Sequence, residues 1–160
     1  MGPSPEVCDG LDNDCSGLAD DGMVDSDSDL LADCVDPDDD NDGVADGGDC
    51  APVNAGVWGV PVEVEGVDVQ IGAQTMVSWQ EQALGPATGY EVVTGQIVEP
   101  GQVDFAAGAC LGPALGASPA SDGRVGPPAG AIWYYMVKSR NICGAGTYGT
   151  PARDALPACP

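Results

Sequence analysis

Asp38-Asp-Asp-Asn-Asp-Gly-Val-Ala-Asp46-Gly-Gly-Asp49 sets carboxylates at the first, third, fifth, ninth and twelfth places of one loop. Gly43 stands sixth, where the chain must turn sharply, and the Val44 carbonyl stands seventh. A hard cation that takes six to eight oxygens at roughly 2.3–2.6 Å needs this spacing, because its ligands must converge from alternate positions of a tight turn. The pattern recurs 13 residues upstream in Asp25-Ser-Asp-Ser-Asp-Leu-Leu-Ala-Asp33, continuing to Asp36, and 13 further in Asp12-Asn-Asp-Cys-Ser-Gly-Leu-Ala-Asp20. The seventh residues are Leu18, Leu31 and Val44, and the eighth are Ala19, Ala32 and Ala45. A solvated acidic run, the competing reading, has no such register and no interleaved cysteines.

The expected ligands of loop one are Asp12, Asp14, Ser16, the Leu18 carbonyl and Asp20, with Asp9, Asp21 or water completing a shell that Met23 cannot. Those of loop two are Asp25, Asp27, Asp29, the Leu31 carbonyl, Asp33 and Asp36, and those of loop three are Asp38, Asp40, Asp42, the Val44 carbonyl, Asp46 and Asp49. About three calcium ions are expected, one per loop. Loop three is the best formed, while loop two has Leu30 in the glycine place. Magnesium fits less well, since it demands a rigid octahedron and keeps its waters.

Outside the loops the composition changes. The chain of 160 residues carries a formal charge of −22, of which −17 lies in residues 1–50. That excludes binding to nucleic acid or an anionic membrane, which needs a basic face. No apolar run is long enough to span a bilayer. The chain has no His, the commonest general base and transition-metal ligand. Two domains are expected, 1–55 holding the repeats and 56–160 the remainder. Seven cysteines without a Cys-x-x-Cys pair indicate disulfides and an oxidising, extracellular compartment rather than a zinc site. Met1-Gly-Pro-Ser4 lacks a signal peptide's basic start and apolar stretch, so a mature or excised form of a secreted protein is expected.

Asp25 to Cys34 and Asp36 to Cys50 resemble thrombospondin type 3 repeats, and Cys8-Asp-Gly-Leu-Asp-Asn-Asp-Cys15 is similar to a metal-binding motif of bacterial surface proteins. The resemblance covers residues 6–54. It implies calcium wrapped by a chain with little core, made rigid by ions and disulfides. It also implies a Cys15–Cys34 bridge, with Cys8–Cys15 plus Cys34–Cys50 as the alternative.

Residues 60–69 alternate apolar and polar, which predicts a strand. Further strands are predicted over 73–79, 90–94, 132–140 and 146–150, with a long Gly/Ala/Pro-rich connection over 106–130 holding at most one edge strand. The expected fold class is all-β, a two-sheet sandwich behind an irregular calcium-wrapped segment. Met76-Val-Ser-Trp79, Gly89-Tyr-Glu-Val-Val93 and Trp133 to Asn141 with Cys143 to Gly149 resemble a bacterial fibronectin type III module. Trp133 stands where that family places its corner tyrosine. The resemblance implies binding, spacing or assembly and no catalysis. Cys143 and Cys159 flank the last predicted strand and are the expected bridge, leaving Cys110 over. Trp79, Trp133 and Tyr135 are expected in the core and Tyr134 facing outward.

No enzyme is expected, because the paired aspartates lie in the ion loops and the second part holds few acids. The expected function is a calcium-binding extracellular structural protein, a homo-oligomer that forms a filament or cell-surface subunit. The alternative is a monomeric calcium-dependent adhesin, a module for a surface glycan or protein ligand.

Overall fold

The computed structural model describes residues 2–98, 103, 108–154 and 159. The chain divides into two compact units, Met1–Gly59 and Val60–Pro160.

The second unit is all-β, with one four-residue helical turn, α1 (Pro151–Asp154). Its strands are β1 (Asp68–Ile71), β2 (Thr75–Ser78), β3 (Gly89–Ile97), β4 (Ala109–Leu115), β5 (Ala120–Asp122), β6 (Ile132–Asn141) and β7 (Gly144–Ala145). They form two antiparallel sheets, ordered β1-β2-β5 and β4-β3-β6-β7. The longest ladder runs from Gly89 opposite Arg140 to Ile97 opposite Ile132.

Alternation explains the core. Val77 of β2, Ala120 of β5, Tyr90 and Val92 of β3 and Val137 of β6 meet between the sheets with Val64 and Trp79. The Trp79 and Tyr90 rings lie 5.3 Å apart, and the Tyr90 hydroxyl accepts the Gln82 N–H at 2.7 Å, so the buried phenol keeps a polar partner. Each of the valines contributes roughly 1.5–3 kcal/mol on burial. Val93, on the opposite face of β3, is covered by Tyr148 and Cys159 with Met136 beside them.

Two buried charges tie the unit together. Asp122 is 1 % exposed at the end of β5. It accepts from Arg124 Nε at 2.9 Å, from Arg124 Nη2 and from the Tyr135 hydroxyl at 2.8 Å. Arg124 also donates to Thr94 Oγ1 at 2.8 Å and lies 4.0 Å over the Trp133 ring, so one guanidinium links β5 to both central strands of the other sheet. The Arg124 contact holds the Asp122 carboxyl down at about 2, against the opposing effect of burial and with help from Tyr135. On the outer face of the four-stranded sheet, Glu91 pairs with Arg140 at 2.6 Å and lies 3.7 Å from Lys138. Burial, then the Glu91 charge, pushes the Tyr148 hydroxyl well above its usual range.

Several expectations for this unit are corrected. Of residues 60–69 only Asp68 and Val69 enter a strand, β1, while Glu63 makes an isolated bridge to Lys138. Pro61 has no N–H to donate. The Gln82 carboxamide takes the Val62 N–H and both the Val62 and Glu63 carbonyls, so that backbone is satisfied by a side chain instead of a ladder. The connection expected to be irregular over 106–130 holds two strands, β4 and β5, in its described part. No strand covers 146–150; after β7 the Gly146 N–H bonds Ser139 and the chain leaves the edge so that Tyr148 can cover Val93. Cys159 bonds Cys110 of β4 rather than Cys143, bridging residues that the cover over Val93 brings together.

The first unit is held by turns. Cys8 bonds Cys34, not the expected Cys15–Cys34 pair, and Cys15 is the free, exposed cysteine in place of Cys110. The other six cysteines are in disulfides, consistent with an oxidising environment. Among the described residues no helix is long and apolar enough to cross a membrane.

Candidate metal centre

The 13-residue repeat of the sequence is a repeat of hydrogen bonds. In each loop the first carboxylate accepts the sixth N–H: Asp12 from Gly17 at 2.9 Å, Asp25 from Leu30 at 3.2 Å, Asp38 from Gly43 at 3.1 Å. The third accepts the fifth N–H: Asp14 from Ser16, Asp27 from Asp29, Asp40 from Asp42. The side chain at the fifth place accepts the seventh N–H: Ser16 from Leu18, Asp29 from Leu31, Asp42 from Val44. Backbone conformation follows the same register. The fourth residues, Cys15, Ser28 and Asn41, have φ of 63°, 67° and 54°, and the sixth, Gly17, Leu30 and Gly43, have 101°, 84° and 96°. Alternate left-handed residues curl the loop, and in loops two and three the carboxylates at places one, three and five converge.

Loops two and three close identically. The Asp33 and Asp46 N–H groups donate to the Val24 and Pro37 carbonyls, just ahead of each loop. Their carboxylates turn back to the second residues: Asp33 accepts Ser26 N–H at 2.8 Å and Ser26 Oγ at 2.9 Å, and Asp46 accepts the Asp39 N–H at 3.0 Å. Asp36 caps the start of loop three by accepting the Asp38 N–H.

Loop one departs. Glu6 accepts the Asp14 N–H at 2.7 Å and the Asp20 N–H at 2.9 Å, and Asp20, 5 % exposed, accepts from Asp9 and Gly10. Asp9 itself accepts from Leu11 and Asn13. The acidic groups that converge here are Glu6, Asp14 and Asp21, two of which, Asp14 and Asp21, are among those expected. With serine fifth, loop one lacks the third carboxylate of its register. Glu6 was missed because it lies outside the repeat; its one signal is that it is the sole Glu in the acidic half.

Asp25, Asp27 and Asp29 form a second cluster, and Asp38, Asp40 and Asp42 a third, each with carboxylate oxygens within 4.8 Å of one another. Three clusters could therefore hold a metal ion. The third is the most complete. One oxygen each of Asp38, Asp40, Asp42 and Asp49 holds the loop, Asp49 by accepting the Ala51 N–H. The other oxygen of each, Asp38 Oδ1, Asp40 Oδ2, Asp42 Oδ2 and Asp49 Oδ2, is buried and accepts nothing. Asp40 as a whole is 9 % exposed. Burial first, then the Asp42 and Asp49 charges, pushes the Asp40 carboxyl up, opposed by N–H groups of Asp42 and Asn54. Asp39 and Asp27 are pushed up too, by burial first and neighbouring carboxylates after it. Unpaired buried carboxylate oxygens cost several kcal/mol each unless a cation meets them.

No protein-family model matches this chain, and no curated protein or solved structure matches it.

Proposed function

We propose that the first unit binds calcium, about one ion per loop, and that the protein is an extracellular structural subunit stiffened by those ions and by disulfides. The four buried, unpartnered oxygens of Asp38, Asp40, Asp42 and Asp49 carry this reading. They come from the first, third, fifth and twelfth places and are all hard donors. The strand order of the second unit, β1-β2-β5 against β4-β3-β6-β7, supports a fibronectin type III-like sandwich, a fold of spacers and adhesion modules. Its aromatics favour a structural role over a glycan platform. Trp79 is buried, Trp133 is capped by Arg124, and Tyr134 lies against Gly95, so among the described residues no aromatic ring stands open. We further propose self-assembly into a filament. A segment of charge −17 can approach a copy of itself only once ions suppress the repulsion, and it bares Leu11, Leu18, Val24, Leu30 and Leu31 for contact.

Calorimetry on chelator-stripped protein tests the first proposal: saturable uptake of about three calcium ions is expected, and no uptake ends it. Light scattering in millimolar calcium tests the second. A species near 16 kDa at every concentration refutes the filament and leaves the monomeric adhesin.

A further inference from the structure

Loop three is followed by a period that has lost its carboxylates. Residues 51–57 read Ala-Pro-Val-Asn-Ala-Gly-Val, and residues 38–44 read Asp-Asp-Asp-Asn-Asp-Gly-Val, so the spacing is again 13. Asparagine, glycine and valine recur at the fourth, sixth and seventh places, while Ala51, Val53 and Ala55 stand where loop three carries its first, third and fifth aspartates. The backbone keeps the register. The Asn54 N–H donates to the Ala51 carbonyl at 2.8 Å, as the Asn41 N–H donates to the Asp38 carbonyl at 3.1 Å. Asp49 accepts the Ala51 N–H at 2.8 Å, as Asp36 accepts the Asp38 N–H at 2.9 Å. In loop three the first and fifth carboxylates hold the N–H groups of the sixth and seventh residues. Here both tasks fall to Asn54, whose Oδ1 accepts the Gly56 N–H at 3.1 Å and whose carbonyl accepts the Val57 N–H at 3.0 Å. Neither Asn54 nor Gly56 has the left-handed φ of its counterpart, so this period turns without curling round a centre. Its valine, Val57, is 1 % exposed, whereas Leu18 and Leu31 at the same place of loops one and two are open.

We propose that residues 51–57 are an ion-free closing period, and that Asn54 is a positioning residue for the ion of loop three. This rests on the calcium reading above. Asp49 gives one oxygen to the Ala51 N–H and leaves the other, Oδ2, buried and unpartnered beside those of Asp38, Asp40 and Asp42. The closing turns therefore fix the direction from which the twelfth ligand arrives. Asp40, nine-tenths buried with Oδ2 unpartnered, shows that the centre they serve is shielded from water. A linear array of repeats needs an atypical last member. Linkage makes the effect mutual: the ion orders the turns by as much as the turns favour the ion.

The test is a calorimetric calcium titration of the intact chain, comparing the unchanged protein with Asn54→Ala and Asn54→Ser, and using Asp40→Asn to mark which step belongs to loop three. Alanine removes the side-chain bond to Gly56, and a serine hydroxyl can remake it. Asn54→Ala is expected to weaken the loop-three step about tenfold, as loss of an outer-shell partner does, and to leave the other steps unchanged. Asn54→Ser is expected to bind nearly as the unchanged protein does. Amide exchange at Ala51, Gly56 and Val57 should slow when loop three fills. Three results would each overturn the proposal and leave the calcium reading standing: Asn54→Ala binding every ion normally or weakening every step alike, Asn54→Ser losing what alanine loses, or these amides exchanging equally fast with and without calcium. If the unchanged protein takes up no calcium, the calcium reading itself fails and this proposal falls with it.

Discussion

Leu30 is the bulkiest side chain in the repeat on a left-handed backbone, and it stands where the other two loops have glycine. Its φ is 84°, in the region its counterparts Gly17 and Gly43 occupy at 101° and 96°. A side chain with a Cβ held there costs roughly 1–2 kcal/mol. Replacing Leu30 by glycine relieves that strain, while the added freedom of the unfolded chain takes back roughly 0.5–1 kcal/mol. Little burial is lost, because Leu30 is 80 % exposed. Its N–H bond to Asp25 is made by the backbone and survives. The net gain is about 0.5–1 kcal/mol, which corresponds to binding at loop two that is roughly two- to fivefold tighter. Calcium titration and urea unfolding at fixed calcium should both report it. The reciprocal change, Gly43→Leu, should weaken loop three by a similar factor or more. Weaker calcium binding by Leu30→Gly, or a silent Gly43→Leu, would show that the left-handed sixth residue is not what limits these loops.

Other expectations concern the whole chain. The Asp122 carboxyl falls from 3.8 to about 2 on folding, so its contribution of about 2 kcal/mol is complete above roughly pH 4 and lost as the pH falls through about 2. Urea midpoints of the second unit should drop steeply across that window, and Asp122→Asn should flatten the dependence while lowering stability at neutral pH; an unchanged slope would remove Asp122 from the account. Chelation should expand the first unit, as seen by small-angle scattering, since so many like charges with so few buried apolar groups cannot offset chain entropy; an unchanged profile would mean that turns and disulfides suffice. Alkylation of the unreduced protein should add one label, at Cys15, and a Cys15→Ser variant should add none.

What could be read beforehand divides along physical lines. The loops were legible because their fold is local: the first, third and fifth side chains bond backbone two to five residues away, so spacing alone carries the geometry. The left-handed fourth residue was not legible, since Cys15, Ser28 and Asn41 share no side-chain chemistry and only the structure shows a common φ. Glu6 escaped because it acts from outside the register. The strong strands β3 and β6 were visible in Tyr90–Thr94 and in the aromatic run from Trp133. Residues 60–67 misled, because alternation reports which residues face the core and not whether the backbone finds a ladder; there Gln82 supplied the bonds instead. Strands β4 and β5 were hidden by Gly, Pro and Ala, whose weak preference is overridden by pairing with β3 and β2. The cysteine pairs depend on which surfaces meet, and spacing holds no record of that.

The side-chain bonds that curl loops two and three begin and end inside one 13-residue period, so each of these loops carries most of its own fold with it. Such a loop can be gained or lost by duplication or deletion of one period, much as links are added to a chain, at the cost of ties between neighbours such as the Cys8–Cys34 bridge and the contact of Asn41 with Asp29. Charge sets the opposing limit. Loop three brings six aspartates between Asp38 and Asp49, and one divalent ion cancels two of those charges. Every added period therefore leaves a surplus of negative charge, and how many periods such a segment can hold is governed by the calcium and salt around it rather than by folding.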